Sequence, residues 1–122
     1  MKLIVYGTLM RGESNQHMMK GAEYICDVSV PNAALWDLGG YPGLMFLPIQ
    51  HDTTYVHGEL YEVSKEHMKD LDRFEGVPTL YDRRECKYEV TDGYLNGHAY
   101  IYEYQGEMLM YGLIESGNWK ER

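Results

Sequence analysis

Only one stretch of this chain reads as a well-marked helix, and nearly everything around it reads as short strands. "SKEHMKDLDRFEG", residues 64 to 76, offers Ser64 as N-cap, Glu66 in the positive first turn and Gly76 as the stop. The capping box is incomplete, because His67 stands three places after Ser64. A second, shorter helix is predicted from Ser14 to Lys20, closed by Gly21. The strand-like runs are "KLIVY", "EYICDVSV" up to Pro31, "AALWDL", "LMFLPI", "TYVHGELYEV", "YDRRECKYEV" and "NGHAYIYEY". "AALWDL" either continues the strand before it or forms a neighbour after a bulge. "GGYPGL", residues 39 to 44, is turn punctuation, Pro48 ends a strand or confines it to an edge, and "TDGYLNG" reads as a hairpin loop. Gly58 inside its strand signals a bulge or a close approach by another segment.

Strands do not alternate with crossover helices, and no repeat or linker divides the 122 residues. The expected architecture is one α+β domain over residues 1–122: a small mixed, mostly antiparallel β-barrel with two short flanking helices. The 44% hydrophobic content can fill one core without disulfide staples. Twelve tyrosines suit strands and half-polar cavity walls.

Charge and composition exclude several functions. The formal charge is −8, and the one basic pair, Arg83 and Arg84, is flanked by Asp82 and Glu85. Nucleic acid needs clustered cations, so it is not an expected partner. No segment has the length of a membrane span and no secretory leader opens the chain, so the cytoplasm is the expected compartment and no membrane partner is expected. Cys26 and Cys86 form no CxxC pair and read as reduced core thiols, although a disulfide is possible in principle. His17, His51, His57, His67 and His98 show no ligand spacing, so no metal or other cofactor is expected. Ser14 and Ser64 look like helix starts, which leaves a hydrolase triad without support. Met108 and Met110 read as packing residues, and Glu59 and Glu62 as solvated strand positions. The tail "GNWKER" carries a tryptophan able to dock on the body.

Two features point to chemistry. Helical residues advance by about 100°, which aligns Met68, Leu71 and Phe74 and sets Glu75 within about 40° of their centre. Lys69, Asp70 and Arg73 fall opposite. A carboxylate among core residues costs several kcal/mol unless it has a partner or a task, and burial lifts its pKa towards neutrality, where it can carry protons. The other reading is a frayed helix end with Glu75 in solvent. The second feature is "YGTL", Tyr6 to Leu9, where a strand ends in a glycine turn. Such a turn is either an ordinary connection or a nest of N–H groups for a carboxylate or phosphate. There is no GxGxxG or Walker pattern for a nucleotide.

"VYGTLMRGESN", "YPGL", "GELYEV" and "LDRFEGVPTLYDR" occur in that order. Together they resemble the gamma-glutamylcyclotransferase-like family of small single-domain proteins, of the gamma-glutamylamine cyclotransferase type. The likeness runs from Met1 to about Tyr104, with a weaker match at "GNWK". It implies a small mixed barrel with a cavity at one end, and release of 5-oxoproline from a γ-glutamyl amide or amine by attack of the substrate's own α-amine. It further implies Glu75 as the acid–base residue, Tyr6, Gly7, Thr8 and Leu9 holding substrate largely through the backbone, and Tyr81 lining the pocket. Relatives often close with Gly-Asp-Trp-Arg; here the sequence is Gly117-Asn118-Trp119-Lys120, which keeps neither member of an Asp–Arg pair. No metal and no covalent nucleophile is required by such ring closure. The alternative is a binding module that holds a small acidic metabolite or peptide end in the same pocket. Self-association is left open.

Overall fold

Leu3, Ile4 and Val5 are all fully or almost fully buried, on both faces of one strand. A continuous apolar run of this kind belongs in the middle of a sheet covered on both sides. The computed structural model, which describes residues 1–48, 54–90, 96–107 and 111–122, places it there. Strand β1 (Lys2–Val5) lies between β5 (Tyr55–Glu62), antiparallel, and β7 (Asn96–Tyr104), parallel. Strands β2 (Glu23–Pro31) and β6 (Tyr81–Val90) complete a closed barrel in the order β1-β5-β2-β6-β7. Only the β1–β7 seam is parallel, so the barrel is mixed and mostly antiparallel, as expected.

Gly58 marks a close approach. A Cβ there would stand 2.7 Å from Ile4 Cγ2 and 2.9 Å from the Val5 carbonyl oxygen, so glycine lets β1 lie tightly on β5. A bulge falls elsewhere, on β2: Tyr24 pairs with Tyr61 and Cys26 with Leu60, which leaves Ile25 as the extra, exposed residue. Strands β3 (Ala33–Asp37) and β4 (Pro42–Phe46) form a separate antiparallel pair. Asn32 at φ 60° separates β2 from β3, so "AALWDL" is a neighbour and not a continuation. The "GGYPGL" turn is shorter than its composition suggests. Pro42 already opens β4, directly opposite Asp37.

Helix α1 (Lys65–Glu75) has the expected ends. Ser64 Oγ accepts from the His67 N–H at 3.0 Å, and Gly76 takes the left-handed conformation at φ 68°. Met68 and Leu71 are buried, but Phe74 is 42% exposed. The apolar stripe therefore leaves the core one turn before the helix ends. The second helix is a correction: it is a short 3₁₀ turn, Gln16–Met19. Its Gly-bounded segment is too short and polar to sustain an α-helix without a packed face. Near the C-terminus Trp119 is only 1% exposed and starts another 3₁₀ turn (Trp119–Glu121). Asn118 caps that turn through the Lys120 N–H at 3.0 Å, and Lys120 Nζ donates to the Arg11 carbonyl at 2.6 Å. Of the residues standing in place of Asp and Arg, Asn118 shapes the tail's own turn and Lys120 ties it to the segment after β1. Cys26 and Cys86 are not bridged to each other. Among the described residues no helix is long and apolar enough to cross a membrane.

Candidate active site

The two glycine-containing motifs meet because one residue lacks a side chain. An added Cβ on Gly7 would lie 2.1 Å from Pro42 Cγ and 2.8 Å from Pro42 Cδ. The "YGTL" turn therefore rests directly on the start of β4. Two tyrosine hydroxyls fix this corner. Tyr6 donates to the Tyr102 carbonyl at 2.6 Å and accepts from the Leu44 N–H at 3.3 Å. Tyr81, the first residue of β6, donates to the Pro42 carbonyl. Both hydroxyls are spent on the scaffold, and their rings are left to wall a cavity.

That cavity has a volume of about 320 Å³ and is lined by Glu75, Tyr6, Gly7, Thr8, Leu9 and Tyr81. All six residues singled out in the sequence thus face one space, though they come from the turn after β1, from α1 and from β6. Asn15, Tyr41, Pro42, Phe74 and Leu80 complete much of the wall. The turn is closed by the Met10 N–H on the Gly7 carbonyl at 3.0 Å and by the Asn15 N–H on the Thr8 carbonyl at 2.8 Å. Among the described residues no bond of the turn, and no side chain, uses the N–H of Gly7, Thr8 or Leu9. Such groups suit an anion.

Glu75 is the last residue of α1, and it is half-buried. Burial alone pushes its carboxyl from 4.5 up to about 7. Among the described residues no hydrogen bond or ion pair offsets that burial. The neighbouring carboxylate on the helix is treated differently: Asp72 accepts from Tyr102 Oη at 2.8 Å and from Arg83 Nε at 3.0 Å. Burial, and then the facing Glu75 carboxyl, also raise the Tyr81 hydroxyl. Tyr6 is raised by burial first, with Tyr81 and Glu75 adding to it.

The Glu75 shift has a stability consequence. Below about pH 4.5 the carboxyl is protonated in folded and unfolded chains alike. Between 4.5 and about 7 the folded chain holds a proton that the unfolded chain has released, so stability falls as pH rises. Above about 7 the full penalty applies, about 3 kcal/mol for a shift of this size. Denaturant unfolding is expected to show Glu75→Gln equal to the parent near pH 4 and more stable near pH 8, by up to about 3 kcal/mol. A parent that is as stable as the variant at the higher pH removes the claim of a desolvated carboxyl.

Two site features were not legible beforehand. Asn15 falls inside the helix predicted from Ser14 to Lys20, yet its Nδ2 donates to Thr8 Oγ1 at 3.0 Å and it borders the cavity. Glu59 is a correction. It is not solvated but 4% exposed, and it accepts from the Arg11 N–H at 3.0 Å, from Arg11 Nε at 3.0 Å and from Tyr61 Oη at 3.1 Å. Strand alternation hides it, because β5 is covered on both faces, and its partner lies 48 residues away. Glu62 is exposed and pairs with the N-terminal amine at 3.0 Å. Among the described residues no three His, Cys, Asp or Glu side chains gather as metal ligands, and His67 Nε2 lies 2.7 Å from the Met18 carbonyl. His51, Met108, Met110 and residues 91–95 of the predicted "TDGYLNG" loop lie outside the described residues, while Asn96 and Gly97 belong to β7.

Comparison with known proteins identifies the family. Residues 3–121 match the family described as "Gamma-glutamyl cyclotransferase, AIG2-like". The chain is 32% identical, over all of its length and 98% of the relative, to the gamma-glutamylcyclotransferase family protein YtfP of Escherichia coli. It is 37% identical to the gamma-L-glutamyl-butirosin B gamma-glutamyl cyclotransferase of Niallia circulans, covering 82% of this chain and 65% of that one. An AIG2-like protein of Mus musculus superposes with a TM-score of 0.75 at 25% identity, over 85% of this chain and 76% of that one.

Proposed function

The chain belongs to the gamma-glutamyl cyclotransferase, AIG2-like family, and from that premise we propose that it releases 5-oxoproline from a γ-glutamyl amide or amine, with Glu75 moving the proton. The observation that carries this reading is the half-buried Glu75 carboxyl sharing one cavity with the Gly7–Leu9 turn.

The substrate brings its own nucleophile. Its α-amine attacks the γ-carbonyl carbon, a C–N bond closes the five-membered ring, and the bond to the leaving amine breaks. The α-ammonium gives up two protons, one before attack and one as its nitrogen becomes the ring amide; Glu75 takes each in turn and passes it to the departing nitrogen, which leaves as an ammonium. Nothing enters from water and nothing else leaves. Ring closure is intramolecular, so holding the chain folded supplies much of the rate, by analogy with effective molarities worth about 7–11 kcal/mol. A carboxyl near 7 is well matched to both halves of the transfer at neutral pH. The N–H groups of Gly7, Thr8 and Leu9, which make no bond within the turn, are suited to the substrate's α-carboxylate. Tyr6 and Tyr81 hold β4 against β1 and β6 and give the cavity its walls.

The test is isotopic. Incubation with a γ-glutamyl amide in heavy-oxygen water is expected to give 5-oxoproline and free amine in equal amounts, with no label in either. Labelled glutamate in place of 5-oxoproline means hydrolysis and removes this mechanism. Binding without any product transfers the pocket to the non-catalytic reading.

A further inference from the structure

The turn of α1 that carries Glu75 has little apolar packing to hold it. Leu71 is the last fully buried residue of the helix. Phe74 is exposed, and Arg73, also exposed, pairs with Asp70 on the same helix. Asp72 is the exception. Its Oδ1 accepts from Tyr102 Oη at 2.8 Å and from Arg83 Nε at 3.0 Å. Among the described residues it is the one side chain of the last turn, 72–75, that is hydrogen-bonded to the barrel.

The two donors reach Asp72 together because they are neighbours. Arg83 on β6 and Tyr102 on β7 are direct partners in the β6–β7 register, so both side chains leave the sheet on one face. Arg83 is held in turn over the Tyr100 ring, 4.7 Å from its centroid. Tyr102 also acts through its main chain. Its carbonyl accepts from Tyr6 Oη at 2.6 Å, and Tyr6 immediately precedes Gly7. One strand residue therefore grips the helix of Glu75 with its hydroxyl and the start of the glycine turn with its carbonyl, while its ring lines the cavity between them.

We infer that Asp72 and Tyr102 are positioning residues: with Arg83 they clamp the last turn of α1 to the barrel and set the span between the Glu75 carboxyl and the Gly7–Leu9 turn. This rests on the reading of Glu75 as the proton carrier, but the clamp leaves a mark on Glu75 that needs no turnover. Residues three apart on a helix are neighbours, so Asp72 stands beside Glu75, and Arg83 balances its charge. The other titratable groups facing Glu75 are the hydroxyls of Tyr6 after β1, Tyr41 before β4, Tyr81 on β6 and Tyr102 on β7. All four are neutral near pH 7. Removing one member of the ion pair therefore exposes Glu75 to a charge of known sign.

The experiment titrates the Glu75 carboxyl by carbon-13 NMR, its signal assigned by its loss in Glu75→Gln, and measures kcat and KM on a γ-glutamyl amide. Arg83→Met leaves the Asp72 carboxylate bare and is expected to raise the Glu75 midpoint, whereas Asp72→Asn leaves the Arg83 cation and is expected to lower it, each by about half a pH unit. The Arg83→Met/Asp72→Asn double variant should return close to the parent. Tyr102→Phe keeps the ring and every charge, so its midpoint should move least, while kcat falls roughly tenfold to a hundredfold with KM little changed. A purely structural contact lowers the unfolding temperature of these variants without driving the midpoint in opposite directions or slowing kcat. Midpoints that do not separate, or kcat at the parent level in both Asp72→Asn and Tyr102→Phe, overturn the positioning role. If Asp72→Asn does not fold, Arg83→Met and Tyr102→Phe decide by the same two readouts. Opposed midpoint shifts in a protein whose parent form releases no 5-oxoproline support the clamp and overturn the reaction instead.

Discussion

Glu75→Gln is expected to fold normally and to release 5-oxoproline about 10²–10⁴-fold more slowly than the parent protein, the range typical of losing one positioned acid–base group. Glutamine keeps the size and the hydrogen-bonding reach of the side chain but can neither accept the α-ammonium proton nor return it. The loss is expected in kcat, with substrate affinity changed little or improved, because the turn and the rest of the cavity wall are untouched. The pH profile carries the same information. The parent protein's kcat/KM should bend near pH 7, where burial places the carboxyl, and the residual rate of the variant should lack that bend. Steady-state kinetics on a γ-glutamyl amide across neutral pH measure both. Retention of full turnover by the variant removes Glu75 from the chemistry.

Gly7→Ala is the second substitution with a large expected effect, and its reason is steric. Gly7 is not among the glycines at positive φ, so alanine faces no backbone objection. What it meets is the Pro42 ring, with Cγ 2.1 Å and Cδ 2.8 Å from the new methyl. A proline ring cannot swing aside as the end of a lysine can, so the turn or β4 must move. Overpacking of this kind costs about 1–3 kcal/mol. The catalytic loss should be larger, because a displacement of about 1 Å at a positioning element can cost about 10²-fold. The clash also dictates its own remedy. Pro42→Ala deletes Cγ and Cδ and keeps Cβ, which lies 3.6 Å from the added methyl. The Gly7→Ala/Pro42→Ala double variant should therefore recover much of the stability and activity lost by Gly7→Ala alone. Thermal unfolding and kcat/KM on the three variants decide it. Additive losses in the double variant rule out the contact as the cause.

The parts of this molecule that could be read in advance are those where local chemistry and global placement agree. Helix α1 was legible because Ser64, Glu66 and Gly76 each say the same thing about where it starts and stops. Glu75 was legible because helical spacing ties it to Met68 and Leu71, which are buried. Phe74 obeys the same spacing and escapes the core, since periodicity gives a direction from the axis and not how far the neighbouring layer extends. The 3₁₀ turn at Gln16–Met19 escaped for a related reason: its residues fit a helix, but only a packed partner could have lengthened it. Glu59 could not be read from its strand at all. Its acceptors are filled by Arg11 from the distant segment after β1 and by Tyr61 two places on, and a barrel strand hides both of its faces. The Gly7–Pro42 contact was present as two separate glycine motifs, "YGTL" and "YPGL", with nothing in the chain to announce that one rests on the other.

The parallel seam between β1 and β7 has a kinetic meaning. Leu3 finds Tyr100 and Ile4 finds Ile101, so the ring of strands shuts only after nearly the whole polypeptide has been synthesised. Pairings so distant along the chain must wait for loop closure and form late and slowly. Tyr6 reaches its acceptor on Tyr102 across the same join. The proposed site, with Tyr6 tied across that join, is therefore complete only once the last barrel strand is in place.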